Sequence, residues 1–271
     1  MQKILVTLFF LLATTLTTLA AYAEKIEDNS FLLEEAYNQD AGVVQLIQSY
    51  QYTKINSTDS LRVYNLTVEM PAPNRTHQFS FTVPSTTATV NDVTNSGTND
   101  LFLNYRYQLM DSEKIAISPR LSVILPTGKR ESGFGTGALG LQFNMPLSFE
   151  LNESWMNHWN FGYTFTGQAQ SAGGTVGANT ISTNFGTSFI YLASDTFNLM
   201  TEFVHTSTDA SNGDGTKSRS ESYYISPGFR YAINTKDVQY VPGVSLPMGI
   251  GPSESEDYSV LLYLSVEGKM W

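Results

Sequence analysis

One pair of residues has the types and the spacing of a nucleophilic site. His205 and Ser207 stand two positions apart, so on a β-strand their side chains would project from the same face. An imidazole beside a hydroxyl can accept its proton and activate the oxygen, provided that a third group orients the ring. Glu221, on the following run of alternating residues, could supply that group. Such a constellation would support the hydrolysis of an ester.

The elements that must position these residues are strands, because apolar and polar residues alternate over most of the chain. Residues 139–151 carry apolar side chains at odd positions, among them Leu141, Phe143 and Leu147, and mostly small or polar residues between them. Period-two alternation predicts strands, and runs of about ten residues match the length of a tilted transmembrane strand. Strands of soluble sandwiches usually have only ~5 to 6 residues. The pattern therefore favours strands with one face on lipid.

The connections between these runs give an independent indication of the fold. Short polar turns are predicted at 111–113, 152–154, 194–196 and 234–237, and longer loops at 127–136, 171–178, 209–220 and 251–256. Earlier strands are predicted near 43–54, 60–70, 77–91 and 99–110. Outer-membrane barrels have an even number of strands, short periplasmic turns and longer outer loops, which a strict alternation of short and long connections reproduces. We predict an all-β fold, a single transmembrane antiparallel β-barrel of about 12 strands over residues 43–271.

The composition excludes several classes of function. The chain has 25 Asp and Glu against 15 Lys and Arg, a net charge of −10, and so lacks the basic face that nucleic-acid binding needs. It has no cysteine, which excludes disulfides and thiol sites. Charged residues make up 15% and aromatic residues 13%, whereas soluble domains usually have about 25% charged residues. We predict no cofactor and no metal site.

The N-terminus is predicted to be a targeting signal followed by a short lead-in. Lys3, the apolar residues 4–19 and the sequence Ala21-Tyr22-Ala23 are typical of a cleaved signal peptide over residues 1–23. This predicts export to the outer membrane of a Gram-negative bacterium. Residues 24–42 would form a periplasmic N-terminal segment, in which Asn29-Ser30 can cap a short helix over residues 31–37. The segment could remain in the periplasm or plug the barrel, and the sequence leaves both open.

The same alternation places a set of charged residues on the inner face of the barrel. By parity, the inward charged residues are Glu69, Arg106, Arg120, Glu150, Glu202 and Arg230. Opposite charges in a narrow lumen can pair, which either braces the wall or lines a route for a solute. About twelve strands enclose less space than an open sixteen-stranded porin, so we expect a narrow, gated or plugged path. Inward Pro146, Gly243 and Pro247 could also kink strands or open a lateral gap.

Several segments carry a family resemblance. They are residues 31–39 (FLLEEAYNQ), 119–128 (PRLSVILPTG), 140–148 (GLQFNMPLS), 225–234 (ISPGFRYAIN) and 241–249 (VPGVSLPMG). Together they resemble the outer-membrane family named for the meta-cleavage pathway of phenol degradation. The resemblance implies a barrel that helps small hydrophobic or aromatic compounds cross the outer membrane. The partners would then be that solute, outer-membrane lipid and lipopolysaccharide, and the barrel assembly machinery.

A second resemblance concerns the His-x-Ser pair. Odd positions of its strand, such as Phe203, would face lipid, and the pair is similar to the one with which outer-membrane phospholipase A attacks lipid esters at its outer rim. That family orients its histidine with an Asn on the next strand, whereas Glu221 and Ser222 stand at the matching positions here. Because this pattern is broken, we expect a channel rather than an enzyme. A rim phospholipase and a purely structural or adhesive barrel are the alternatives.

Overall fold

The fold is a closed barrel of twelve strands. The computed structural model describes residue 26, residues 28–253 and residues 258–269 of the 271-residue chain. The strands are β1 (Val43–Lys54), β2 (Ser60–Pro71), β3 (His77–Val90), β4 (Val93–Thr98, Leu101–Tyr107 and Met110–Asp111), β5 (Ile115–Ile117 and Arg120–Leu125), β6 (Gly140–Asn152), β7 (Trp155–Ala169), β8 (Ala178–Ser194), β9 (Phe197–Ser211), β10 (Lys217–Tyr231 and Ile233–Asn234), β11 (Val238–Ser245 and Met248–Gly249) and β12 (Ser259–Lys269). The predicted signal peptide, residues 1–23, lies outside the described residues.

Each strand pairs antiparallel with its neighbours in the chain, and the last strand closes on the first. The β1–β12 ladder runs from Val43 opposite Lys269 to Thr53 opposite Ser259. Closure pairs the backbone N–H and C=O groups of both terminal strands. A wall in lipid requires this pairing, because no water is present there to bind the backbone groups of an open edge. Pro119 and Pro247 stand at the interruptions of β5 and β11, because proline has no N–H to donate to a ladder. The predicted twelve-stranded barrel is confirmed.

The two faces of the wall have opposite polarity. Buried polar side chains on the strands include Gln45, Gln78, Asn104, Asn144, Ser148, Asn160, Ser188, Asn198 and Ser226. Exposed large apolar side chains include Phe79, Phe81, Leu103, Leu121, Leu141, Phe143, Phe161, Phe185, Phe189, Leu199, Phe203 and Phe229. An apolar surface of this extent is rare in contact with water but is satisfied by lipid tails. The inner face is therefore polar, and the six charged residues that parity predicts to point inward lie on it.

Four aromatic residues of the outer face lie near the short turns. Tyr107, Trp155, Tyr191 and Tyr231 are exposed and lie close to the short turns, and the rings of Trp155 and Tyr191 are 5.1 Å apart. Such rings favour the membrane–water boundary because their apolar bodies meet lipid while their polar tips stay wet. This belt marks the end that carries the short turns.

Two of the predicted connections are wrong. The predicted loop 209–220 is mostly strand, because β9 and β10 continue their ladder until Ser211 opposes Lys217. At the other site, β3 and β4 are joined only by Asn91 and Asp92, so short and long connections do not alternate strictly. Both residues have positive φ values, 49° and 63°, a conformation that Asn and Asp tolerate best after glycine.

The tip of that hairpin is tied to the neighbouring connection. The backbone N–H of Asn91 donates to the Asp59 carboxylate at 2.7 Å, and this bond lowers the pKa of Asp59. Apart from the strands, the described chain has 3-10 turns at Arg130–Ser132 and Gly251–Ser253. No helix in this part of the chain is long and apolar enough to span a membrane.

The helix predicted over residues 31–37 is also wrong. Residues 28–40, which we call the inner segment, are extended and bent, and they lie inside the barrel. Their backbone groups bond to side chains of the wall instead of to one another. A capping motif such as Asn29-Ser30 favours a helix only when no better partners are available.

Candidate functional site

The inner segment is fixed to the wall residue by residue. Its backbone N–H groups donate to wall side chains: Leu32 to Glu202 (2.9 Å), Glu34 to Asn160 (3.1 Å), Ala36 to Ser148 (2.9 Å), Asn38 to Gln108 (2.8 Å) and Gln39 to Gln78 (2.8 Å). These acceptors belong to β9, β7, β6, β4 and β3, so the segment follows the wall around the lumen. An amide left unpaired there would cost about 1–3 kcal/mol, and the wall side chains avoid that cost.

Three of the predicted lumen residues are arginines that bind the inner segment. Arg106 donates from Nη2 to the carbonyl oxygen of Tyr37 at 2.7 Å and from Nη1 to that of Glu35 at 3.1 Å. Arg230 donates from Nη1 to the carbonyl oxygens of Asp28 at 2.8 Å and of Asn29 at 2.7 Å. Both arginines are almost fully buried. They therefore hold a piece of chain and do not line an open path.

The third arginine forms an ion pair with the segment. Arg120 Nη1 lies 2.6 Å from Glu34 Oε1, and its Nη2 donates to Gln142 at 2.7 Å. The two charged side chains remain partly accessible, at 17% for Arg120 and 23% for Glu34. This pair therefore lies where the inner segment faces open space.

The predicted acidic residues have different surroundings. Glu69 accepts from Gln78 at 2.6 Å and lies 3.6 Å from Arg106, so this pair braces the wall beside the inner segment. Glu202 accepts from the segment itself, through the amide of Leu32. Glu150 is only half-buried and lines a separate cavity near the short turns. The structure thus brings five of the six predicted residues to the inner segment or to its arginines and leaves Glu150 apart.

Close approach of the segment to the wall depends on glycine. A Cβ on Gly228 or on Gly243 would lie 2.6 Å from the ring of Phe31, and a Cβ on Gly186 would lie 2.6 Å from Leu33. Side-chain atoms are not found so close to one another in proteins, so these three positions must be glycine for the segment to dock. Gly243, predicted to kink a strand or open a lateral gap, forms part of a seat for an aromatic ring.

The inner segment lies between two cavities. The larger, about 860 Å³, is lined below by Phe31, Leu32 and Leu33 and reaches the outer loops. The smaller, about 260 Å³, is lined by Tyr37 and by residues of the short turns. The segment therefore forms a floor across a polar lumen, in which Phe31, Leu32 and Leu33 lie beside the polar Asn29, Ser30 and Glu34.

One outer loop narrows the larger cavity from above. Residues 133–136 of the β5–β6 connection line it. The Asp100 carboxylate accepts from the backbone N–H groups of Gly128 and Thr136, both at 2.9 Å, and from the Thr136 hydroxyl at 2.7 Å. These three bonds fix both ends of the loop to an interruption in β4.

The rim residues, by which we mean His205, Ser207 and Glu221, do not form the predicted nucleophilic site. The His205 ring stacks on Tyr223 with 4.4 Å between centroids, and its Nε2 lies 3.9 Å from Glu221 Oε2. Glu221 accepts from the Tyr223 hydroxyl at 3.1 Å. Within the described chain no hydrogen bond joins His205 to Ser207. His205 and Glu221 are thus brought close, as predicted, while the hydroxyl stands apart.

Sequence reasoning missed the neutral residues that do most of the binding. Gln78, Gln108, Ser148 and Asn160 all accept from the inner segment, and the Ser148 hydroxyl is also bonded to His158 Nδ1 at 2.7 Å. Inward parity places them in the lumen, but an uncharged side chain carries no signal that sets a binding residue apart from the other polar residues of the wall.

The fold is shared with solved outer-membrane proteins. It is similar to an outer-membrane channel from Pseudomonas putida F1, with a TM-score of 0.68 and 15% identity over 86% of this chain and 97% of that chain. It is also similar to the KdgM porin, with a TM-score of 0.51 and 9% identity over 84% of this chain and 99% of that chain. The fold is likewise similar to the NanC porin, with a TM-score of 0.51 and 11% identity over 83% of this chain and 100% of that chain. The molecule is therefore an outer-membrane β-barrel by fold.

The family follows from the sequence match. The model of the family described as "Putative MetA-pathway of phenol degradation" matches residues 35–245, and the chain belongs to this family. The predicted resemblance is confirmed. No curated protein matches the chain significantly.

Proposed function

We propose that this chain is an outer-membrane channel for the passive uptake of small hydrophobic or aromatic compounds, and that the inner segment is its gate. The observation that carries the proposal is the cavity of about 860 Å³, which reaches the outer loops and ends on Phe31, Leu32 and Leu33. The three apolar residues of this floor offer a hydrophobic solute a favourable patch in a polar lumen, since burial of apolar area drives binding. Family membership and the channel fold support the same class of function.

The attachment of the inner segment is suited to reversible release. In the described chain it joins the barrel covalently only at its C-terminal end, where Gly42 has a φ of 83° before β1 begins. Its remaining attachments are hydrogen bonds, ion pairs and the apolar contacts of Phe31, Ala36 and Tyr37 with the wall, and a single hydrogen bond contributes only about 0.5–1.5 kcal/mol net. The gate therefore opens when a solute or a fluctuation exchanges several of these contacts together.

Flux into vesicles tests this function. The refolded chain would be placed in vesicles whose outer leaflet is lipopolysaccharide, and the influx of 4-ethylphenol would be compared with that of a bulky tetracyclic compound. We expect faster influx of the small compound than in protein-free vesicles and no acceleration for the bulky one. Equal influx with and without protein would refute the channel.

We assign the rim residues to the wall and not to catalysis. Stacking on Tyr223 directs the His205 ring to the neighbouring strand, and the distance of 3.9 Å to Glu221 exceeds a hydrogen bond. Ser207 has no base within hydrogen-bond reach in the described chain. Nucleophilic catalysis needs that contact, although it can tighten when substrate binds.

A further inference from the structure

The wall around Phe31 holds polar atoms that the described chain leaves without hydrogen-bond partners. They are Asn198 Nδ2, Glu202 Oε2, Ser226 Oγ, Arg230 Nε and Ser245 Oγ. All five are buried, and their residues lie on β9, β10 and β11. Buried polar groups are nearly always paired, because leaving one unpaired costs about 1–3 kcal/mol. They are five of fourteen such atoms in the described chain, and these five share three adjoining strands.

The strand register shows that these atoms surround one place. Ser226 stands opposite Glu202, and Arg230 stands opposite Asn198. Ser245 stands opposite Gly228, and Gly243 stands opposite Arg230. The two bare glycines therefore lie at the centre of the polar cluster.

The ring of Phe31 occupies this centre. It lies against the backbone at Gly228 and Gly243, and Tyr263 meets it edge-to-face with 5.8 Å between centroids and 78° between planes. Phe31 and Tyr263 also line the outer cavity. The wall thus contains a slot shaped for one aromatic ring, which we call the Phe31 slot, next to the cavity a solute would occupy.

We propose that the Phe31 slot binds one aromatic ring of the permeating compound in place of Phe31, and that this ring carries a hydroxyl group. The proposal rests on the proposed channel function. The phenyl ring of Phe31 cannot pair with the polar atoms around it, whereas a hydroxylated ring can donate to and accept from Ser226 and Ser245.

The slot should bind a ring with a carboxylate more weakly than a ring with a hydroxyl group. The guanidinium of Arg230 is already bonded to two carbonyl oxygens of the inner segment. The carboxyl groups of Asp28 and Glu202 lie beside it, at Arg230 and at the amide of Leu32. A further carboxylate would therefore find no free cation in the slot to offset the cost of its burial.

Occupation of the slot would act on the gate. Phe31 is next to Leu32, whose amide binds Glu202, and three residues from Asp28, whose carboxylate accepts from the Tyr263 hydroxyl at 2.6 Å. A ring that displaces Phe31 must therefore shift the part of the inner segment that forms the floor. The permeating compound opens its own path.

Binding to the full chain in detergent tests the slot. The probes are 4-ethylphenol, ethylbenzene and 4-ethylbenzoate, titrated by calorimetry. Phe31→Ala removes the resident ring, so 4-ethylphenol should bind about ten-fold more tightly than to the wild type, because apparent affinity scales with the fraction of empty sites. Phe102→Ala is the matched control, since Phe102 lines the same cavity outside the slot. The Phe102→Ala variant should bind 4-ethylphenol with the same affinity as the wild type.

Two further changes in the Phe31→Ala background locate the ring and its hydroxyl. Gly243→Ala places a Cβ in the slot, where its nearest neighbours are the Phe31 ring and, at 3.2 Å, the Cβ of Arg230, and should abolish binding. Ser245→Ala should weaken binding of 4-ethylphenol about five-fold and leave ethylbenzene unchanged, because it removes one hydrogen bond. The heat-dependent gel shift of folded barrels confirms that each variant is folded.

The outcomes separate this inference from the proposed function. No gain of affinity in Phe31→Ala, or equal binding of 4-ethylbenzoate and 4-ethylphenol, would overturn the slot while solute flux into vesicles still supported the channel. The expected pattern of binding without flux in vesicles would establish the slot and overturn the channel.

Discussion

The amide nitrogen of Leu32 donates to the Glu202 carboxylate at 2.9 Å, a contact between residues 170 positions apart. Glu202 is completely buried in the wall, and Leu32 belongs to the floor of the outer cavity. An amide left without an acceptor in this buried place would cost about 1–3 kcal/mol, so this contact is a main attachment of the inner segment to β9. Attachments of this kind hold the proposed gate closed.

Removing that attachment should open the channel more often. Glu202→Leu keeps roughly the size of the side chain but leaves the amide of Leu32 without its acceptor. We expect the open probability in planar bilayers to rise about ten-fold, with the barrel still folded by its gel shift. Glu153→Leu, the same change in an exposed short turn, is the control and should behave as the wild type. An unchanged open probability in Glu202→Leu would show that this bond does not hold the gate.

The ion pair between Arg120 and Glu34 should act as a coupled unit. The atoms are 2.6 Å apart and partly accessible, so a contribution of about 0.5–1.5 kcal/mol is expected. Arg120→Gln and Glu34→Gln should each raise the open probability. The double variant should open no more than the more affected single variant, and additive effects would mean that the two residues act separately.

Crowding the seat of Leu33 should displace the inner segment without breaking the barrel. A Cβ on Gly186 would meet the flexible end of Leu33 at 2.6 Å and the backbone oxygen of Phe203 at 3.0 Å, so the Leu33 side chain must move most, whereas a Cβ on Gly167 meets its nearest neighbour at an ordinary 3.6 Å. We therefore expect Gly186→Ala to raise conductance and Gly167→Ala to leave it unchanged. If both substitutions give wild-type conductance, the docking of Leu33 is not needed for closure.

Release of the outer loop should widen the mouth of the cavity. Asp100→Asn loses the ability to accept from all of its three donors on Gly128 and Thr136. We expect faster influx of solutes slightly larger than 4-ethylphenol, measured in vesicles. Asp92→Asn at the β3–β4 tip is the control. Unchanged size selectivity would show that the loop does not limit passage.

The rim residues should be dispensable for transport. His205→Ala and Ser207→Ala alter side chains on the outer face and should leave solute influx within about two-fold of the wild type, as surface changes usually do. Phospholipid hydrolysis by the refolded chain is measured alongside. Hydrolysis that either substitution abolishes would contradict the assignment of these residues to the wall.

The wall was predictable from sequence because alternation is a local property. The strand predicted at 43–54 is observed as Val43–Lys54, and the inward parity of Glu69, Arg106 and Arg230 is observed as burial. Each of these predictions needs only the residues on one strand and the apolar face that lipid requires.

The inner segment was not predictable in the same way. Its bonds join residues far apart, as Leu32 and Glu202 show, and local capping rules therefore suggested a helix over residues 31–37. The Phe31 slot depends on Gly228 and Gly243 from two strands, and their shared role appears only when the register is known. Glycine and charged residues in the segment 209–220 favour a loop, whereas the β9–β10 ladder continues into it as far as Ser211 and Lys217.

A reversible lock on the inner segment tests the gating channel most directly. The Ser30 and Ser188 hydroxyl oxygens are 2.9 Å apart, and the chain contains no cysteine. The double variant Ser30→Cys, Ser188→Cys can therefore be oxidised to join the segment to β8, with the single variant Ser30→Cys as the control for the oxidant. We predict that oxidation abolishes 4-ethylphenol influx and channel openings and that reduction restores both. Influx and openings that persist in the fully oxidised double variant would contradict the account.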